Sequence, residues 1–284
     1  MSEVLVITCP SGKQCSRLIP LLYNKGKFRL RLAAHSTASA KNLEISYPDA
    51  EIVIVDLQSL SDCRHLLHGA TAINAVLPSL HLHEKEIGFN LVDAAVAESR
   101  REGNVFKHFV LSSFLDAYPV ARLASQDHPV MEKWWKPEHA NSVIALDDLA
   151  AATVKVLDER EAHYLAEYPL VSTLPISETE IIRIIEKRIG KNIELKTPSF
   201  ETGVSKLIDN LYGSSEHGQG EIGLGRSSAG DLRGDLVRDT VEHLILFYNR
   251  RGLKGSPNVL RWLLGREPTT VEAWVDNVAT KAGY

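Results

Sequence analysis

The sequence predicts an α/β protein with a doubly wound parallel sheet and a smaller C-terminal α/β lobe. Three observations carry this. Short apolar runs alternate with amphipathic stretches up to residue 111, as in strands joined by right-handed helical crossovers. The first run, Val4-Leu5-Val6-Ile7, breaks into Thr8-Cys9-Pro10-Ser11-Gly12-Lys13-Gln14-Cys15 and then turns helix-like. A strand, a tight turn and a helix start in that order present backbone N–H groups and a helix dipole to an anion. Beyond residue 141 the apolar runs shorten and helical periodicity takes over.

Taken in order, 4–7 is the first strand and 14–24 an amphipathic helix with Leu18, Leu21 and Leu22 on one face and a kink expected at Pro20. Strands follow at 28–33 and 52–55, separated by a polar stretch holding Lys41. A helix over 59–68, a strand over 72–77, a helix over 84–99 and a strand over 106–111 complete five parallel strands. Residues 114–141 hold Pro119, Pro129 and Pro137 beside Trp134-Trp135 and carry no long apolar run. Short strands at 142–146 and 170–172 flank a helix over 147–156. The Ser177-Glu178-Thr179-Glu180 opening of 177–189 has the form of a helix cap. Helices are expected over 204–211, 236–250 and 269–281, and the glycine- and serine-rich 213–234 reads as a mobile loop. The organisation that follows is a nucleotide-binding domain over 1–141 and a mostly helical lobe over 142–284.

With 284 residues, 44% apolar, 24% charged and a net charge of −4, the chain is large enough for a sizeable core. Its basic residues are scattered, so neither nucleic acid nor an anionic membrane is an expected partner. Three cysteines without a Cys-x-x-Cys pair point to reduced thiols. No signal-peptide pattern or membrane-length apolar run is present, so a cytoplasmic protein is expected. His65-x-x-His68 has ligand spacing, but no cysteine or carboxylate completes a zinc set, and no metal is expected.

The loop after the first strand is the leading candidate site. Ser11, Gly12, Lys13 and Gln14 would line the phosphates, but only Gly12 remains where dinucleotide folds commonly carry three glycines; Cys9 and Cys15 stand at the outer two positions. At the end of the second strand Arg31, Ala33, Ala34 and His35 offer no acidic residue for a ribose hydroxyl, and Lys41 lies nearby; NADP is therefore expected over NAD. Ser112 and Ser113, closing the fifth strand, are placed to hydrogen-bond a substrate or the nicotinamide amide. Tyr23-x-x-x-Lys27 has the form of a reductase acid/base pair, yet it sits at the sheet end away from the ligand crevice and reads as a helix terminus.

These pieces in this order resemble the NmrA-like branch of the atypical short-chain dehydrogenase/reductases. The resemblance rests on Ile7-Thr8 before Ser11-Gly12-Lys13-Gln14, on Phe28-Arg29-Leu30-Arg31, on Val55-Asp56-Leu57, on 73–78 and on His108-Phe109-Val110-Leu111-Ser112-Ser113. It extends to Asp148-Leu149-Ala150 and to Pro268-Thr269-Thr270-Val271-Glu272-Ala273-Trp274. It implies a Rossmann-like fold, Asp56 and Leu57 at the adenine edge, and a small-molecule substrate of secondary-metabolite type. In the family a helix and a sixth strand carrying the acid/base residues follow the position of Ser113; here Phe114-Leu115-Asp116-Ala117-Tyr118-Pro119 follows directly, as if that segment were deleted. The expectation is an NAD(P)(H)-dependent oxidoreductase with impaired catalysis, His128 as substitute acid/base, and a homodimer covering the exposed sheet. The alternatives are a non-catalytic NADP-sensing regulator and a cofactor-free isomerase or cyclase.

Overall fold

The computed structural model describes residues 3–78, 81, 83–112, 119–212 and 234–284. Its contacts divide the chain into two compact units, Met1–Leu115 with Leu149–Glu167 and Asp116–Asp148 with Tyr168–Tyr284. A single cut at 141 does not separate them, because the helix after residue 146 returns to the first unit. The junction at Ser113 and the glycine-rich stretch 213–233 lie outside the described residues.

The first unit is built on β1 (Glu3–Ile7), β2 (Phe28–Ala34), β3 (Glu51–Ile54), β4 (Ala72–Val76) and β5 (His108–Ser112), all parallel, in the order β3-β2-β1-β4-β5. This is the doubly wound, Rossmann-like order, with its switch point between β1 and β4. Helices α1 (Cys15–Leu22) and α2 (Thr37–Ser46) cover one face, joined by α6 (Leu146–Glu159) through Ala150, Val154 and Leu157. Helices α3 (Leu60–Leu67) and α4 (Glu84–Arg100) cover the other. The strands read as continuous apolar runs because both faces are buried. Pro20 lies inside α1, where it removes one backbone donor. The stretch around Lys41, too polar to show an apolar stripe, is α2, capped by Ser36, whose side chain accepts from the Ser39 N–H.

The second unit contains α5 (Val120–Ser125), β6 (Val130–Glu132), β7 (Ala140–Asn141), β8 (Ile176–Ser177), α7 (Glu178–Ile189), β9 (Glu194–Lys196), α8 (Phe200–Tyr212), α9 (Gly234–Arg250), α10 (Asn258–Leu264) and α11 (Val271–Lys281). Strand β6 pairs with β9 and β7 with β8. The Ser177 cap is present as a full capping box with Glu180. Residues 142–146 and 170–172 do not form strands. A backbone bond and two side chains hold them instead: the Ser172 N–H donates to the Val143 carbonyl at 2.8 Å, the Val143 N–H to Thr173 Oγ1 at 3.1 Å and the Ala145 N–H to Ser172 Oγ at 3.0 Å. The core is Ile181, Ile182 and Ile185 of α7 against Val271, Val275 and Ala279 of α11.

Two buried polar groups organise this unit. The Asp148 carboxylate accepts from Ser172 Oγ (3.0 Å), Arg266 Nη2 (2.7 Å), the Thr269 N–H (2.6 Å) and Thr269 Oγ1 (3.1 Å). Lys133 and Glu178 form a buried ion pair at 3.1 Å, and Trp135 stacks on Tyr248 with ring centroids 4.5 Å apart.

Candidate functional site

The β1–α1 turn lies at the carboxyl end of β1, beside the switch point. Cys9 adopts a left-handed backbone (φ 49°), a conformation that glycine enters freely and that costs an L-residue about 1 kcal/mol. The first missing glycine is thus replaced without a change in the turn it serves. The Gly12 N–H donates to the Cys9 carbonyl at 3.0 Å, and a Cβ at Gly12 would stand 3.1 Å from that same oxygen. The one glycine retained is therefore the one whose Cβ the turn cannot accept without shifting. Cys15, the third position, is a core residue under α1 whose Sγ donates to the Thr8 carbonyl at 3.4 Å. It packs the helix onto the sheet, the task a third glycine otherwise serves.

Burial pushes the Cys9 thiol up to about 11 and raises Cys15 as well, Cys9 adding to the latter shift. Both are neutral thiols near pH 7, so neither adds negative charge where a phosphate would bind. Ser11, Gly12 and Lys13 are exposed. Helix α1 carries no side-chain cap, and neither does α4. By contrast α2 and α3, on the same sheet, are capped by Ser36 and Ser59. The two uncapped helices are those leaving β1 and β4, on either side of the switch point. An uncapped helix start keeps N–H donors for water or for a ligand.

Below the turn is a buried polar cluster. Gln14, at the head of α1, donates through Nε2 to Ser112 Oγ at the end of β5, while its Oε1 is buried with no hydrogen-bond partner. Asn74, wholly buried in β4, leaves both side-chain polar atoms unpartnered. Thr8 Oγ1 donates to the Val76 carbonyl at 2.7 Å and accepts from the Val76 N–H at 2.8 Å, holding β1 to β4 where the ladder ends. Unsatisfied buried amides cost about 1–3 kcal/mol each and in a crevice mark where a ligand or water completes the set. Sequence reasoning passed over Thr8 and Asn74. The signal was present: an Asn inside the apolar run Ala72-Ile73-Asn74-Ala75-Val76.

The remaining expected residues scatter. Arg31 is not at a strand end. It lies within β2 on the face under α3, where Nη1 donates to the Leu66 and His68 carbonyls, both at 2.8 Å, and Nε pairs with Glu51 at 3.0 Å. It therefore closes the C-terminus of α3 and is not available to a phosphate. His35 is exposed directly after β2, and Lys41 is exposed on α2. Asp56 builds a turn: its Oδ1 accepts from the Gln58 N–H at 2.9 Å, and its own N–H donates to Asp62 at 3.1 Å. The Leu57 carbonyl accepts from Asn90 Nδ2 at 3.2 Å, which fixes this turn to α4. Burial and the neighbouring His83 depress His81, opposed by Asp56. His128 is exposed on the turn between α5 and β6, in the second unit. Among the described residues no group of three His, Cys, Asp or Glu side chains could hold a metal, and no helix is long and apolar enough to cross a membrane.

No family model matches the chain, and no curated protein matches it. Solved structures do. Triphenylmethane reductase of Citrobacter sp. is similar over 99% of this chain and 100% of its own, with 16% identity and a TM-score of 0.67. The NADPH-dependent quinone oxidoreductase of Escherichia coli, complexed with NADPH, covers 97% and 99% at 15% identity and a TM-score of 0.65. NmrA, a negative transcriptional regulator, in complex with NADP, covers 99% and 98% at 12% identity and a TM-score of 0.61; a mutant of it with two introduced glycines, six positions apart, is also similar. At these identities the likeness shows the fold alone, a Rossmann-like one that this chain shares with NmrA and both reductases.

Proposed function

We propose that this chain binds NADP(H) at the β1–α1 turn and is a reductase-type protein for a small organic substrate, with slow turnover. The observation that carries the reading is the turn itself: a left-handed residue, a glycine at closest approach and an uncapped helix, set at the switch point of a doubly wound sheet. Ser11, Gly12, Lys13 and the head of α1 would hold the pyrophosphate. His35 and Lys41 would meet the 2′-phosphate, the turn at Asp56 and Leu57 the adenine edge, and the Gln14–Ser112 pair the nicotinamide amide or substrate. The bound dinucleotide would supply the hydride. His128 is the proposed proton donor. It is exposed and, among the described residues, carries no hydrogen bond that would orient it, so slow turnover is expected.

A second reading, an NADP-sensing regulator, is favoured by one further point. Cys9 and Cys15 stand six positions apart, the spacing at which glycines were introduced into NmrA, and NmrA is solved with NADP. A regulator of that kind holds the dinucleotide without those two glycines.

Titration of the chain with NADPH, read by nicotinamide fluorescence and thermal shift, tests the common premise. Micromolar binding is expected, and Cys9→Gly is expected to stabilise the fold by roughly 1 kcal/mol with affinity little changed, because the left-handed backbone is already present in the free chain. Cys15→Gly is expected to destabilise the fold without tightening, because Cys15 is core. A folded chain that binds no NADPH, with or without Cys9→Gly, would remove both readings. Single-turnover oxidation of NADPH by quinones or aromatic dyes then separates reductase from sensor.

A further inference from the structure

The sheet has two edges, and they are finished differently. Strand β3 is short and carries Glu51, held between Arg29 at 3.7 Å and Arg31 at 3.0 Å. A charged, short edge resists pairing with another strand. Strand β5, His108-Phe109-Val110-Leu111-Ser112, carries neither acid, Lys nor Arg, and among the described residues it pairs with β4 alone. Its outer backbone groups form a ready template for a strand.

An apolar stripe runs beside this edge. On the sheet face that carries α3 and α4, Leu111 is 61% exposed; on α4, Phe89 is 60%, Val92 45% and Val96 39% exposed. Steps of three and four place the α4 residues along one line of the helix. Its direction follows from Asn90, which donates to the Leu57 and Gln58 carbonyls and so marks the side of α4 turned to α3. Val92, two residues later, points about 200° round the helix, away from α3 and toward the β5 side. Scattered exposed apolar residues are ordinary, but three aligned over about 10 Å of helix, beside an unpaired strand that exposes Leu111, mark an interface.

We propose that the occupant is a second copy of this chain, related by a twofold axis normal to the sheet at the outer edge of β5. That axis pairs β5 antiparallel with its counterpart, making one continuous ten-stranded sheet, and keeps both α4 helices on the same face, side by side and antiparallel. The charges on α4 fit this arrangement. Glu84, Lys85 and Glu86 form its first turn, net negative, and Arg100 closes its last, so each negative start meets the partner's basic end, and the helix dipoles oppose. A self-complementary helix beside a self-pairing strand needs no third protein.

Sedimentation velocity on the full chain at micromolar concentration reads the state. A dimer is expected, and Val92→Glu with Val96→Glu is expected to dissociate it, weakening association at least 100-fold while leaving the melting transition cooperative, because both positions face solvent in a single copy. Leu111→Lys on the strand is a second variant with the same expected result, should the first disturb α4. Val92→Cys is expected to give a disulfide-linked dimer on mild oxidation. A wild-type monomer overturns the proposal, whether or not another protein pairs with the edge. So does a dimer indifferent to both the α4 and the β5 substitutions.

Discussion

Two groups of buried polar side chains, one in each unit, differ in completeness. Around Asp148 every carboxylate oxygen is used, by Ser172, Arg266 and two groups of Thr269. Around Asn74 and Gln14, three buried side-chain atoms are unused. Both clusters remove polar groups from water, so both must offset the desolvation cost. Asp148 does so within the chain, which makes it a fastener for the C-terminal segment. Asn74 and Gln14 do not, and they lie at the switch point where this fold class receives its ligands.

Breaking the complete cluster should have the largest effect. Asp148→Ala strands the Thr269 N–H and its neighbours and is expected to cost about 3 kcal/mol. That lowers the melting temperature by roughly 8 °C, with NADPH affinity at the first unit changed much less. A loss below about 1 kcal/mol would mean that water replaces the carboxylate easily and that the contrast is one of appearance.

The incomplete cluster should respond in binding more than in stability. Gly12→Ala places a Cβ 3.1 Å from the Cys9 carbonyl and shifts the turn, so NADPH affinity is expected to fall at least ten-fold, about 1.4 kcal/mol. Asn74→Leu, which removes both unpartnered atoms while roughly keeping volume, is expected to raise stability by about 1 kcal/mol and to weaken NADPH binding. Stability that falls in that variant would show that Asn74 is structural after all.

The smallest effect concerns pH. His108 is buried at the start of β5 against the Tyr164 ring, 5.1 Å away; burial first, then Arg160 and His163, hold it below its ordinary pKa. As the pH falls the unfolded chain takes up this proton first, so the stability involved is full above about 6.5 and is lost as the pH drops through the lower folded value. Melting temperatures measured between about pH 7 and about pH 5 should decline, and His108→Phe, which keeps a ring against Tyr164, should flatten that decline by a degree or two. An unchanged slope would assign the acid sensitivity to other groups.

What the chain alone determined was everything carried by local pattern. The five parallel strands, three of the four helices joining them, the turn around Gly12 and the Ser177 cap follow from periodicity, β-branched runs and capping chemistry, which act over a few residues. That Gln14 and Ser112 stand at the carboxyl end of the sheet was legible too, since each closes a strand or opens a helix there. Tertiary structure alone decided how each side chain is used. Arg31 looks like a phosphate ligand until α3 is laid over β2, and Cys15 looks like a lost glycine until it is seen to pack the core. Asn74 looks like an accident until both its neighbours prove apolar. Gln14 meets Ser112 across 98 residues and Asp148 meets Thr269 across 121. The partner of a buried polar group is set by which strand lies alongside and which helix lies above, and that information is absent from any short window of sequence.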